Sequence, residues 1–320
     1  MSDTPNELDP TISVVVPVHN ESANLGSLIE RLESTFNVAG VSFEIVFVDD
    51  GSTDDSLTEL EKCRQCQPCI RIVELSRNFG KEVALSAGID HASGQAVITM
   101  DADLQHPPET ILEFIAQWRN GREVVYGIKS DRAGESLLRR IYSRVYFAVF
   151  NRMADVKLPR SPSDFCLLDR KAVEAIKQLP ERARFLKGLL RWIGFNQAEV
   201  EYNVGTRSGG EGQLALTKLI AMGVDALIAF SALPLKIWFY VGLLISTVTF
   251  IFGLTIIIDI MVHGRAVPGF ATLIIAVLFF GGIQLLTLGI IGAYLERVFT
   301  EVKNRPLYIV RNRHGFSDGN

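Results

Sequence analysis

Ile98–Glu109 reads "ITMDADLQHPPE". An apolar run reaching Met100 gives way at once to Asp101-Ala102-Asp103, and a pair of prolines then opens a helical stretch. A buried strand, an acidic loop and a helix start in that order place polar groups just beyond the carboxyl end of a strand, where open α/β sheets bind ligands. The same junction recurs upstream. "TISVVVPV" runs into "HNES" (His19–Ser22), "FEIVFVDD" into the cluster Asp49–Asp55, and "IRIVELS" into "SRNFGK" (Ser76–Lys81). Between them lie "NESANLGSLIERLESTF", "DDSLTELEKCRQ" and "GKEVALSAGIDHAS" with helical spacing, and "EVVYGI" follows as a fifth candidate strand. Short β-rich runs alternating with helices over residues 11 to about 205 predict a mainly parallel sheet covered on both faces.

The rest of the chain has a different character. Of 320 residues 48% are hydrophobic, too many for an ordinary soluble protein, and the excess is concentrated near the C-terminus. Ile237–Ile258 and Val267–Tyr294 hold no charged residue, and each is long enough to cross about 30 Å of hydrocarbon. Their connection carries a single Arg, whereas Lys236, Arg297, Lys303, Arg305, Arg311 and Arg313 flank them. By the positive-inside rule both termini are cytoplasmic. Leu214–Pro234, apolar apart from Lys218 and Asp225, suits helices lying along the interface. The start "MSDTPNELDP" lacks the basic and apolar regions of a secretory signal. A net charge of −4 excludes the basic footprint of a nucleic-acid binder.

Neither GxGxxG nor GxxxxGK[ST] occurs, so neither a dinucleotide fingerprint nor a P-loop defines the strand-end clusters. Acidic loops repel a diphosphate unless a cation lies between them, because like unit charges at about 4 Å cost about 4 kcal/mol at an effective dielectric of 20. Mg2+ or Mn2+ held by Asp101 and Asp103 would reverse that sign. The same Asp-x-Asp also suits a turn capping the helix that begins near Pro108. "CRQCQPC" sets Cys63, Cys66 and Cys69 at ferredoxin-like spacing, although a surface helix and turn accounts for it more simply.

Taken in order, "VVVPVHNES", "EIVFVDDGSTDDS", "LSRNFGKEVALSAGIDHASGQAVITMDADLQHPPE" and the two C-terminal spans resemble family 2 glycosyltransferases, within them the polyprenyl-phosphate glycosyltransferases. The resemblance implies a Rossmann-like GT-A catalytic domain over 1–210, interfacial helices over 211–234, a two-helix transmembrane anchor over 235–296 and a cytoplasmic tail over 297–320. It implies that Pro17, Asn20, Glu21 and Asp49 contact the base and ribose of a nucleotide sugar, that Asp101, Asp103 and Gln105 bind metal and diphosphate, and that Arg207 in "RSGGEG" covers the diphosphate. Arg139 and Ser143 in "SLLRRIYSR" lie on one helical face and align with the acceptor-phosphate Arg and Ser of that family, with Lys129 where an Arg is usual. Asp164 in "SPSDFCLLDR" matches the Asp sometimes assigned as base. The implied reaction moves one hexose, glucose from UDP-glucose first and mannose from GDP-mannose second, to a polyprenyl phosphate at the inner membrane. Paired two-span anchors suit a homo-oligomer. A processive synthase is the next alternative, since "GLLRW" (Gly188–Trp192) approaches the Q-x-x-R-W signature with Gly for Gln, but two spans are too few for a polymer channel. A non-enzymatic membrane scaffold is the other, and an intact "DAD" with "DDGS" argues against it.

Overall fold

The computed structural model describes residues 11–130, 162–179, 181, 186–203, most of 240–262 and 269–316. The chain divides into two compact units, one built from residues 1–149, 156–215 and 305–320, the other from 150–155 and 216–304.

Among the described residues the first unit is an α/β layer structure around one eight-stranded sheet. In chain order its elements are β1 (Ile12–Val18), α1 (Leu25–Ala39), β2 (Phe43–Asp49), α2 (Ser56–Cys66), β3 (Ile70–Leu75), α3 (Lys81–His91) and β4 (Ala96–Thr99). Then follow α4 (Ile111–Arg119), β5 (Val124–Lys129), β6 (Pro162–Asp169), α5 (Arg170–Lys177), α6 (Leu186–Trp192), β7 (Gln197–Tyr202) and β8 (Val310–His314). The order across the sheet is β7-β5-β6-β4-β1-β2-β3-β8. β1 to β4 run parallel, as the alternation requires, and β5 pairs in parallel with β7. β6 enters between β4 and β5 antiparallel to both, and β8 caps the β3 edge antiparallel.

Alternating side chains of one strand supply opposite faces, so a sheet covered on both sides has strands that are apolar throughout. Val14, Val16, Phe47, Ile72 and Ile98 pack beneath Leu28, Leu32 and Phe36 of α1, Leu60 of α2 and Phe114 of α4. Val15, Val46, Val48, Val73 and Val97 pack against Leu85 and Ile89 of α3, Val173 of α5 and Leu190 of α6. In α1 the buried Leu25, Leu28, Ile29, Leu32 and Phe36 fall at the spacing of one helical face. α3 lies so close to the sheet that a Cβ on Gly88 would run into the Val15 side chain.

Strand direction decides which loops can meet. The carboxyl ends of β1 to β5 share one edge of the sheet, and because β6 is antiparallel its beginning, Pro162–Asp164, arrives at that same edge. This is how Asp164 reaches residues more than sixty positions away in sequence.

In the second unit, α7 (Phe270–Val302) is a helix of 33 residues, about 50 Å at 1.5 Å per residue. Its segment Phe279–Val302 is long and apolar enough to cross a membrane, the one such helix among the described residues. The uncharged run anticipated here stops at Tyr294, yet the helix continues through Glu296, Arg297 and Glu301. Charge ends an apolar span but not a helix, since Glu and Arg are good helix formers. The described residues between 240 and 262 are helical. Several residues of the expected first span and all of the expected interfacial stretch 211–234 lie outside the described residues.

Candidate functional site

The carboxyl edge of β1 to β4 opens into a cavity of about 320 Å3, walled by "PVHNE" through Pro17, His19 and Glu21, by Asp50, by Asn78, Gly80 and Lys81, and by Asp101 and Asp103. The loop after β2 makes a tight turn at Gly51, with φ +66°, where a Cβ would come within 2.6 Å of the Asn78 backbone nitrogen. That approach locks the "DDGS" loop on the "RNFG" loop. Asp50 does the same electrostatically, accepting the Phe79 and Gly80 amides at 2.7 and 2.8 Å. His19 closes the wall, with Nδ1 3.1 Å from the Asp50 carbonyl and Nε2 3.2 Å from Asn78 Nδ2.

Two residues expected to meet the base and ribose are engaged inside the protein. Asn20, at φ +58°, accepts the Thr53 amide at 2.8 Å and so ties the loop after β1 to the loop after β2. Asp49 is 3% exposed beneath the turn, accepts the Ser52 amide at 3.3 Å, and is raised above the usual carboxylate range by burial. It is the neighbouring Asp50 that lines the cavity. Pro17 and Glu21 line it, and Glu21 accepts Asn24 Nδ2 at 2.6 Å.

The "DADLQ" turn is held open by a strained residue. Leu104 takes φ +62°, a left-handed conformation costly for a branched side chain, and its burial at 7% exposure against the core holds it there. Asp103 Oδ1 accepts the Gln105 amide at 3.1 Å, which fixes the carboxylate at the cavity wall. Behind the turn, His106 stacks on Phe165 at 5.0 Å between ring centroids. The Asp101 amide donates to its Nδ1 at 3.0 Å, so that nitrogen is unprotonated, and burial lowers the imidazole below its usual range. His106 is therefore neutral, and the 3.9 Å approach of Nδ1 to Asp101 Oδ2 is not an ion pair.

Lys81 joins the two halves of the site. Its ammonium stands 2.6 Å from Asp101 Oδ1 and 2.7 Å from Asp164 Oδ2, while Lys187 from α6 stands 3.1 Å from Asp164 Oδ1. The two ammoniums outweigh burial and hold the Asp164 carboxyl well below the usual carboxylate range. Glu82, whose Oε2 accepts the Leu186 amide at 3.1 Å, is pushed up to about 6, first by burial and then by the charge on Asp164. Lys129 lies at the C-terminal end of β5, at the same edge of the sheet, next to Ser130, which bonds to the Tyr202 carbonyl. Arg139, Ser143 and Arg207 lie outside the described residues.

The donor set fits Mg2+ or Mn2+ arriving with a diphosphate. Both Asp101 and Asp103 offer hard oxygens at one cavity, and Asp101 Oδ1 receives no aligned hydrogen bond despite the nearby ammonium. A cation that fills its other positions with water and phosphate oxygens needs only one or two carboxylates from the protein. The ferredoxin-like spacing of Cys63, Cys66 and Cys69 falls on the end of α2 and the turn that follows it. Cys63 and Cys69 are half-buried against the core and Cys66 is exposed at the end of α2.

Sequence reasoning passed over His19, Asp50, Lys81, Glu82, His106 and Lys187. Asp50 and Lys81 lie within quoted strand-end clusters, where their position was a usable signal. Lys187 carried none, since only the packing of α6 brings it to Asp164.

The first unit is thus a GT-A-like α/β domain with two carboxylates and a lysine at the carboxyl edge of its sheet. The family model for glycosyl transferase family 2 matches residues 13–177, and the chain belongs to that family. It is 45% identical over 304 residues, 95% of this chain and 96% of the relative, to an uncharacterized glycosyltransferase of a Synechocystis species. It is 38% identical over 303 residues to the SfII prophage-derived bactoprenol glucosyl transferase of Shigella flexneri, covering 95% of this chain and 98% of that one. Among solved structures, glucosyl-3-phosphoglycerate synthase from Mycobacterium tuberculosis, in complex with Mn2+, UDP-glucose and phosphoglyceric acid, superposes with a TM-score of 0.50 at 21% identity. The match covers 68% of this chain and 78% of that one, a likeness of fold.

Proposed function

We propose that this protein transfers one glucose, with inversion, from UDP-glucose to a membrane polyprenyl phosphate. The observation that carries the reading is the cavity at the sheet's carboxyl edge, which Asp101 and Asp103 line together with Pro17, Glu21 and Lys81. Near-full-length similarity to relatives named bactoprenol glucosyl transferases supports glucose and the lipid acceptor. Pro17 and Glu21 border the nucleoside, while Asn20 and Asp49 act by fixing the loops that shape its pocket. A divalent cation held by Asp101 and Asp103 would offset the diphosphate charge and the charge developing on the leaving nucleotide. Gln105 and Arg207 complete the donor side.

Lys129, Arg139 and Ser143 are the residues assigned to the acceptor phosphate. One of the phosphate oxygens forms the new bond to the anomeric carbon as the bond from that carbon to the diphosphate oxygen breaks, and UDP departs. A phosphate monoester with a second pKa of about 6 is mostly deprotonated at neutral pH and needs little help from a base. Asp164, held ionised between two lysines, is thereby a positioning residue: it sets where Lys81 and Lys187 stand. Two membrane spans with both termini in the cytoplasm, interfacial helices over 211–234 and a homo-oligomeric anchor in the inner membrane complete the proposal, supported by the charge asymmetry and by α7. The division into a catalytic domain over 1–210 and an anchor over 235–296 goes with this topology, except that the expected tail returns to the catalytic sheet as β8 (Val310–His314).

A donor screen tests the reading. Protein in vesicles containing one polyprenyl phosphate, supplied with Mg2+, should consume UDP-glucose in preference to GDP-mannose. A preference for GDP-mannose would move the assignment to the mannosyl alternative.

A further inference from the structure

Lys81 shares one ammonium between two carboxylates, 2.6 Å from Asp101 Oδ1 and 2.7 Å from Asp164 Oδ2. Asp101 is one of the two carboxylates that the proposed function gives to the divalent cation, so a second positive charge already stands on the oxygen that cation needs. Like charges at such range repel strongly in a half-buried site, and both cannot keep their place. Lysine is suited to yield. Its charge rides on a flexible stem, its side chain is 43% exposed, and Asp164 offers it a second anchor when Asp101 is taken. Asp164 is itself fixed from the far side by Lys187 at 3.1 Å, and its backbone carbonyl accepts Thr99 Oγ1 at 2.6 Å, so the alternative anchor does not move with the ammonium.

We propose that Lys81 is the resident counter-cation of the metal carboxylates and that the divalent cation arriving with the donor displaces it from Asp101 onto Asp164. Resting on the metal reading above, the inference assigns Lys81 a positioning role. In the donor-free protein it balances Asp101 and keeps the site from binding metal alone; once displaced, it places a positive charge between the metal carboxylates and Asp164. This sets the order of binding. Metal enters with the nucleotide sugar because the diphosphate adds the negative charge that outcompetes an internal ammonium.

The test is Mn2+ binding without nucleotide, read by the electron paramagnetic resonance signal of free Mn2+. Lys81→Met, which keeps length and removes charge, should bind Mn2+ about tenfold more tightly than the wild type, as expected for removal of one competing charge. Lys81→Arg, which keeps the charge, should stay weak, and Asp103→Asn placed on Lys81→Met should abolish the gain. If Lys81→Met fails to fold, the charge-balanced Lys81→Met/Asp164→Asn protein carries the same expectation. Unchanged or weaker Mn2+ binding in the charge-removed proteins, while the wild type still needs metal to bind UDP-glucose, overturns the Lys81 inference alone. A wild type that binds UDP-glucose equally well with and without Mn2+ overturns the metal reading and this inference together.

Discussion

Replacing Asp164 with Asn separates the two roles its carboxylate could play. Its side chain is 13% exposed between Lys81 at 2.7 Å and Lys187 at 3.1 Å. Removing one member of a buried ion pair costs about 3–5 kcal/mol. Lys81 is 43% exposed and keeps Asp101 at 2.6 Å, so solvent and the second carboxylate reduce its share. Lys187, 23% exposed, loses the carboxylate beside it. The net expectation is about 2–3 kcal/mol, which for a domain of roughly 200 residues lowers Tm by roughly 4–12 °C. Because the folded carboxyl is held below its usual range, this stabilisation is complete above the unfolded pKa of 3.8 and is lost as pH falls through the folded value. Circular dichroism melts of wild type and Asp164→Asn at pH 7 should therefore differ by that margin and converge in strong acid. The pH–rate profile should keep an acid limb near the second pKa of the acceptor phosphate, about 6. A variant with wild-type Tm and no turnover at any pH would make Asp164 act on the substrates directly and refute the positioning role.

Asp103→Ala removes a carboxylate that accepts the Gln105 amide at 3.1 Å. Turnover and metal-dependent nucleotide binding should vanish in isothermal titration while the melt moves by less than a few degrees. Glu82 has a folded pKa of about 6 against 4.5 unfolded, so its protonated form contributes stability that is whole below 4.5 and gone above about 6. Between those values the wild-type Tm should carry a falling component that Glu82→Gln lacks, as parallel melts across that range would show. Deleting residues 305–320 strips β8 from the β3 edge and takes Arg311 and Asn312 from Glu74, which is 5% exposed. An uncovered edge strand templates association, so light scattering should show aggregation and the melt should fall well below wild type.

What the sequence displayed of this fold was the part written in local periodicity. β1 to β5 and the intervening α1 to α3 are continuous apolar or amphipathic runs punctuated by polar loops, and they lie where that pattern puts them. β6 was hidden because "PSDFCLLD" reads as a motif for chemistry, and its antiparallel insertion depends on pairing with β4 and β5, which no local pattern encodes. β7 carries Glu199 and Glu201 on its outward face, and β8, "VRNRH", is a polar edge strand that composition describes as a tail. The site divides in the same way. Asp101 and Asp103 follow directly from a strand end, and Glu21 follows from the "HNE" loop. The Lys81–Asp164–Lys187 chain joins α3, β6 and α6 and exists only after folding. Asn20 and Asp49 were legible as important residues, but the hydrogen bonds they accept from Thr53 and Ser52 are invisible in sequence.

The central claim, that one glucose passes to a polyprenyl phosphate through the Asp101/Asp103 cavity, is tested most directly by the mass of the lipid product. Vesicles holding the protein and polyprenyl phosphate, given UDP-glucose uniformly labelled with carbon-13 and Mg2+, should yield an organic-phase lipid heavier than the acceptor by one labelled hexose. The same product should be absent with Asp103→Ala or with excess EDTA. An unchanged lipid, a lipid carrying several sugars, or an equal yield from Asp103→Ala would contradict the account.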